Sequence, residues 1–184
     1  MKTLKLSVSV LVIVVSGFAA VSAQRNFLIT GNSAGGVRLG MTVAQARKVF
    51  SACKFKRSSD GEGLALVSAE CHGKQVMTFF ADEPGDSETI NNKARIEFIE
   101  IWDPRFKTAE GVHQHMRVAD AEKRLGKIRD IVLTQTESRE FITFSKPTEG
   151  INYRFYGGIY KPRTTSTKRY EKGARLHSIQ IYKY

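Results

Sequence analysis

The sequence predicts an α+β fold of two tandem units, each a short helix packed on an antiparallel β-meander of about four strands. Three observations lead there. Residues 35–50, GGVRLGMTVAQARKVF, and residues 110–126, EGVHQHMRVADAEKRLG, repeat one pattern: Gly36, Val37, Met41, Val43, Ala44, Ala46 and Lys48 recur as Gly111, Val112, Met116, Val118, Ala119, Ala121 and Lys123 at a constant offset. A second echo closes each copy, ARIEFIEIW at 94–102 and ARLHSIQIY at 174–182. Between these ends lie short apolar runs separated by turn residues, in DGEG, HGK, DEPGDS, KPTEG and KPR, as strands of a meander would be.

Ahead of the repeat, MKTLKLSVSVLVIVVSGFAAVSA has Lys2 and Lys5, an apolar run, and then Val21 and Ala23 at signal-peptidase positions. It reads as a signal peptide over residues 1–23. A signal anchor is the rival reading, but Ser16, Gly17 and Ser22 interrupt the run short of the roughly 20 residues a span needs. The expected organisation is therefore a signal peptide, a first unit over 24–105 and a second over 106–184. The mature chain has no expected transmembrane segment and is placed in the periplasm or outside the cell. About 160 residues remain, enough to bury a real core.

Each unit opens with a helix. Thr42 can cap the first, Met41 sits at the staple position, and Val43, Ala46, Val49 and Phe50 fall at helical spacing. Val118, Ala121, Leu125 and the terminating Gly126 repeat the pattern. The strands expected after the first helix are KFKR, LALVSAEC, QVMTFFA and RIEFIEIW. Those after the second are IRDIVLT, EFITFS, INYRFYGGIY and RLHSIQIYKY. Ile99 and Ile101 alternate with Glu100, and Ile179 and Ile181 with Gln180, so one face of each meander is buried. Ile96 and Leu176 are out of phase, which a bulge near Glu97 and His177 would restore. The second copy is the longer, and its extra residues belong in the polar loop KPRTTSTKRYEKG.

Cys53 and Cys71 are the only cysteines. An exported chain meets an oxidising compartment, and the turn-forming SSDGEG midway between them would set them opposite each other in a hairpin, so they are expected to form a structural disulfide. Neither has the CxxC-type spacing of a redox pair.

The phrase G-x-R-L-G-M-T followed by a short helix, at Gly36–Phe50 and more faintly at Gly111–Gly126, resembles the helix opening of two groups of small exported bacterial proteins. These are the outer-membrane β-barrel assembly lipoproteins and the tandem-repeat β-lactamase inhibitory proteins. The resemblance implies a non-enzymatic exported protein that binds another protein or an envelope component. The chain departs from both groups: no cysteine stands directly after Ala23 to take a lipid, and Trp102 is the single tryptophan. Only the architecture is carried over.

The formal charge is +11, and loss of Lys2 and Lys5 lowers it by two. A cationic exported chain is drawn to acidic polymers, anionic head groups or an acidic protein. The equivalent loops differ most. ADEPGDSETINNKAR holds Asp82, Glu83, Asp86 and Glu88, whereas KPRTTSTKRYEKGAR holds Lys161, Arg163, Lys168, Arg169, Lys172 and Arg175 against Glu171 alone. With Tyr156, Tyr160 and Tyr170, those six cations form the candidate binding surface, since arginine and tyrosine anchor interfaces. A solvated charged loop is the competing reading. Export argues against nucleic acid.

Candidate chemistry is sparse. His113 and His115 form an HxH pair without further ligands at metal spacing, so no metal and no cofactor is expected. Glu97 and Glu100 read as solvent-facing strand positions, and no glycine pattern cradles a phosphate. The expected function is an exported, monomeric or weakly associating binding protein for a protein or anionic envelope component. The alternatives are an exported hydrolase whose groups converge only in three dimensions, and a structural envelope component.

Overall fold

Thr42 opens the first helix, α1 (Val43–Val49), through a reciprocal capping box with Gln45. The computed structural model describes residues 27–182 apart from 61, 82, 84–88 and 136. The expected signal peptide therefore lies outside the described residues, as do Asp82, Asp86 and Glu88 of the acidic loop. The second helix, α2 (Val118–Leu125), has no side-chain cap and ends on Gly126 at φ 80°. Short helices leave N–H groups that need acceptors. The carbonyls of Asn92 and Ala94 serve α1, and that of Ala174 serves α2.

Thirteen strands are described: β1 (Leu28–Thr30), β2 (Ser33–Ala34), β3 (Val37–Arg38), β4 (Lys54–Ser59), β5 (Ala65–Cys71), β6 (Lys74–Phe80), β7 (Phe98–Ile101), β8 (Lys107–Thr108), β9 (Ile128–Leu133), β10 (Glu140–Phe144), β11 (Ile151–Phe155), β12 (Ser166–Thr167) and β13 (Leu176–Tyr182). They form a nine-stranded sheet, β12-β9-β10-β11-β13-β7-β6-β5-β4, and a four-stranded sheet, β3-β2-β1-β8.

This overturns the expected α+β arrangement of two tandem helix-plus-meander units. The fold is dominated by its sheets, and helices of seven and eight residues are minor parts of it. The reason lies in the strand edges. β7 would end one meander and β13 the other, each with a free row of backbone groups. Instead they pair antiparallel, Ile99 opposite Ile181 and Ile101 opposite Ile179, which satisfies both rows. The segments preceding the helices are equally shared, because β1 pairs in parallel with β8.

One core results. Ile99, Ile101, Ile179 and Ile181 of the large sheet pack in a single cluster with Val43 and Ala46 of α1, Val118, Ala121 and Leu125 of α2, and Ile29, Ala34 and Val37 of the small sheet. Two glycines let the layers meet. A Cβ on Gly31 would lie 2.2 Å from the Glu149 carbonyl oxygen, and one on Gly150 would lie 2.3 Å from that of Gly31.

Locally, Cys53 and Cys71 form the expected disulfide, beside Lys54 and Glu70, which pair directly across β4 and β5. At His177 the register of β13 shifts, so that Arg154 faces Ser178 while Phe155 faces Leu176. In the first half, Phe80 pairs with Phe98 and also accepts from the Glu97 N–H. The long polar loop of the second half contains β12, which pairs with β9 and becomes the sheet edge.

Candidate binding surfaces

The basic loop leaves β11 at Tyr156 and runs out to β12. It is braced by the Ile159 N–H to the Arg169 carbonyl (2.9 Å), the Glu171 N–H to the Gly157 carbonyl (2.9 Å) and the Leu133 N–H to the Thr165 carbonyl (2.8 Å). This pairing holds the loop backbone and leaves its cations in water: Lys161, Arg163, Lys168, Arg169, Lys172 and Arg175 are all exposed. None of them forms an ion pair with a described acidic residue. Arg175 donates to the His115 carbonyl at 2.7 Å.

The three tyrosines do not join this surface as one group. Tyr160 and Tyr170 are half-buried and pack on the core side. The Tyr170 hydroxyl donates to Glu122 at 2.9 Å, and burial followed by the Glu122 carboxylate pushes its pKa up. Burial and then the negative Glu140 do the same to Tyr160. Tyr156 is exposed and belongs to the opposite face, where it accepts from Arg154 at 2.6 Å and meets His177 edge to face.

The cationic surface extends to α2 instead. Arg117, Tyr170 and Lys172 line one depression, and Arg117 also lines the next, with His113, His115, Asp120, Lys123, Arg124 and Arg175. The HxH pair and an acidic residue thus share a depression, the condition under which a catalytic or metal role for the pair gains weight. Asp120 is bound by Lys123 at 2.7 Å, and His113 Nδ1 contacts the Gln114 carbonyl at 2.7 Å.

The uncovered face of the large sheet is a second surface, none of whose residues but Tyr156 was among the candidate binding residues of the sequence. Side chains facing the same way across neighbouring strands form rows. One row is Lys56, Ser68, Thr78, Glu100, Gln180 and Asn152, in register across β4, β5, β6, β7, β13 and β11. The next is Ser58, Leu66, Phe80, Phe98 and Tyr182. A polar stripe therefore runs beside an apolar one, perpendicular to the strands.

Glu100, expected to face solvent, is buried at 6 % exposure. Its Oε1 accepts from Ser178 Oγ (2.5 Å), Gln180 Nε2 (3.1 Å) and Arg154 Nη1 (3.2 Å). Beside it, Thr78 Oγ1 accepts from the Trp102 indole N–H (2.9 Å) and from Gln75 Nε2 (2.8 Å). Thr78 and Glu100 of the first row and Ser58, Leu66, Phe80 and Phe98 of the second line a trough of about 570 Å³. The tips of the β4–β5 and β9–β10 hairpins close over it, with Arg139 3.6 Å from Asp60 and also paired with Glu137. The carboxylates of Asp60, Glu62 and Glu137 cluster there within 4.8 Å of one another. Burial, opposed by Arg139 and reinforced by Glu62 and Asp60, raises the Glu137 carboxyl pKa.

The signal for this face was the alternation itself, because Glu100, Gln180 and Thr78 each sit between buried neighbours. Which polar positions would meet depended on the strand order. Among the described residues no helix is long and apolar enough to cross a membrane, and the disulfide fits the oxidising compartment expected after export.

No protein-family model and no curated protein matches the chain. Among solved structures, it is similar to the uncharacterized protein yfeY from Escherichia coli, with a TM-score of 0.58 and 12 % sequence identity over 84 % of this chain and 99 % of that one. At that identity the likeness is one of fold alone.

Proposed function

We propose that this is an exported, non-enzymatic binding protein that holds a protein or anionic envelope component against the cationic surface of the 161–175 loop and α2. The observation that supports it is the unpaired state of Lys161, Arg163, Lys168, Arg169 and Lys172, which are exposed on a hydrogen-bonded loop and have no ion-pair partner among the described residues. Charges that stabilise a fold are commonly paired in it. Charges left in water on a fixed backbone are available to a partner at little backbone ordering cost. Arg117, Lys123, Arg124 and Arg175 enlarge the same surface. The reading agrees with what the resemblance at Gly36–Phe50 implies, a non-enzymatic exported protein that binds another protein or an envelope component.

The test is binding of the purified chain to lipopolysaccharide, and to acidic proteins of an envelope extract, at low and high salt. A variant with Lys168→Ser, Arg169→Ser and Lys172→Ser is run alongside. The native chain should bind at low salt and release as salt rises, and the variant should bind more weakly with its melting temperature unchanged. Equal retention of both at low salt would remove the loop as the contact.

A further inference from the structure

We propose that the trough on the open face of the nine-stranded sheet is a second binding site, for a neutral saccharide. Its lining contains no residue of the 161–175 loop, so this inference stands apart from the function proposed above.

The trough has the size of a ligand site, about 570 Å³ against the roughly 300–1,000 Å³ such sites occupy. Most of its floor is formed by β5, β6 and β7, which are paired on both sides; only Ser58 and Ser59 come from an edge strand, β4. Along the paired strands the backbone has no free row to offer, so a peptide cannot add there as a strand. Recognition must come from side chains.

Those side chains are of two kinds laid side by side. Leu66, Phe80 and Phe98 form the apolar stripe, with Trp102 also in the lining. The indole is held by its bond to Thr78 and by an edge-to-face contact with His177. A fixed aromatic surface accepts the C–H face of a pyranose ring. Next to it stand Gln75, Thr78, Glu100 and Arg154, which supply a side-chain amide, a hydroxyl, a carboxylate and a guanidinium. A hydroxyl both donates and accepts, and a ring bearing several hydroxyls needs donors and acceptors interleaved as they are here.

Two further observations weigh against an anion and against a purely apolar ligand. Both guanidiniums of the lining are paired, Arg154 with Glu100 and Arg139 with Asp60 and Glu137. No unpaired cation is left there to hold a carboxylate. Hydrogen-bonding capacity nevertheless remains. All three donors to Glu100 converge on Oε1, so Oε2 is the acceptor for a ligand hydroxyl. A fatty acid would leave that oxygen unsatisfied, at a desolvation cost.

Trp102 is the only tryptophan, so its emission reports on the trough. The full chain, recovered after export from an expressing bacterium, is titrated with cello-, malto- and chito-oligosaccharides, and in parallel with neutral tripeptides and with a fatty acid. At least one oligosaccharide should change the Trp102 emission saturably. Glu100→Gln and, at the exposed rim, Gln75→Ala should each weaken that binding by about tenfold, the loss of roughly one good hydrogen bond. The triple loop variant Lys168→Ser, Arg169→Ser, Lys172→Ser should bind as the native chain does. Gln75→Ala keeps the test open should Glu100→Gln fail to fold. The proposal is overturned by the absence of a saturable response to any of the oligosaccharides, by a response to peptide or fatty acid alone, or by unchanged oligosaccharide affinity in every folded trough variant.

Discussion

Arg57 illustrates how single residues fix this molecule. Its guanidinium forks onto Glu83, Nη1 to Oε1 at 3.3 Å and Nη2 to Oε2 at 2.6 Å, and Nη2 also reaches the Thr89 carbonyl at 2.5 Å. The Glu83 side chain is 2 % exposed, and it accepts the Asn91 N–H as well. The pair thus ties the segment after β6 to β4. Removing one partner from a buried pair leaves the other charge unpaired, which costs about 3–5 kcal/mol, whereas removing both costs far less. Urea denaturation of Arg57→Met should show a loss of that size, and the double variant Arg57→Met, Glu83→Leu should recover most of it. His177 reports on the trough in a different way. Burial first, and then the positive Arg154, hold its pKa below the ordinary imidazole value, with His115 adding to the effect and Glu100 opposing it. The folded chain therefore takes up this proton less readily than the unfolded chain. The associated stability is present above about pH 6.5 and declines as pH falls below that value. Arg154→Gln removes a cation and leaves Glu100 unpaired, so the His177 titration followed by NMR should move upward. A downward move would mean that the Arg154 charge is not what His177 senses.

At the scale of elements, the contact between the β1–β2 turn and the β10–β11 turn decides how the small sheet sits on the large one. Gly150 has φ 72° and no room, because its Cβ would meet the backbone of Gly31. Gly173 has φ 87° with nothing within 4 Å. Gly173→Ala should cost about 1–2 kcal/mol, the conformational penalty alone. Gly150→Ala should cost clearly more, since backbone must also shift, and thermal melts of the two variants measure the difference. The disulfide is a second element-level device. Cys53→Ser with Cys71→Ser should lower stability by about 3 kcal/mol in the chain-entropy account for a loop of this length. These elements were readable to very different degrees. Thr42 three residues before Gln45 announces a capping box, and the alternation of Ile99 and Ile101 around Glu100 announces a strand. β2, β3, β8 and β12 have two residues each, too few for any periodicity to show. They exist because tertiary partners are present.

For the whole molecule, the pairing of β7 with β13 is the step that local sequence did not contain. Ile99 and Ile181 each read as core-facing, but nothing in either strand says that they face one another. The trough was illegible for the same reason, since Thr78, Glu100, Arg154 and Trp102 come from three different strand regions and meet only when the sheet is assembled. Sheet twist completes it. Adjacent strands rotate by roughly 20–25°, and the accumulated rotation brings the β4–β5 and β9–β10 tips together across one face. Asp60 and Arg139 join those tips with side chains 12 % and 23 % exposed. Burial raises the Asp60 pKa, but the Leu64 and Glu62 N–H groups and Arg139 outweigh it and hold the carboxyl below its usual value. A depressed acid contributes stability above about pH 3.9 and loses it as pH falls, so the tips should part in acid. Asp60→Asn tests this at neutral pH. Asparagine keeps an oxygen for the Glu62 and Leu64 N–H groups and lacks only the charge that holds Arg139. An ion pair of this exposure is worth about 1 kcal/mol. Hydrogen exchange in residues 62–64 and 137–140 should then quicken by about fivefold, with little change in the global unfolding midpoint. Unchanged exchange would show that twist alone closes the trough. Faster exchange confined to the two tips would show that the Asp60–Arg139 pair holds them together over the trough, independently of the sheet beneath it.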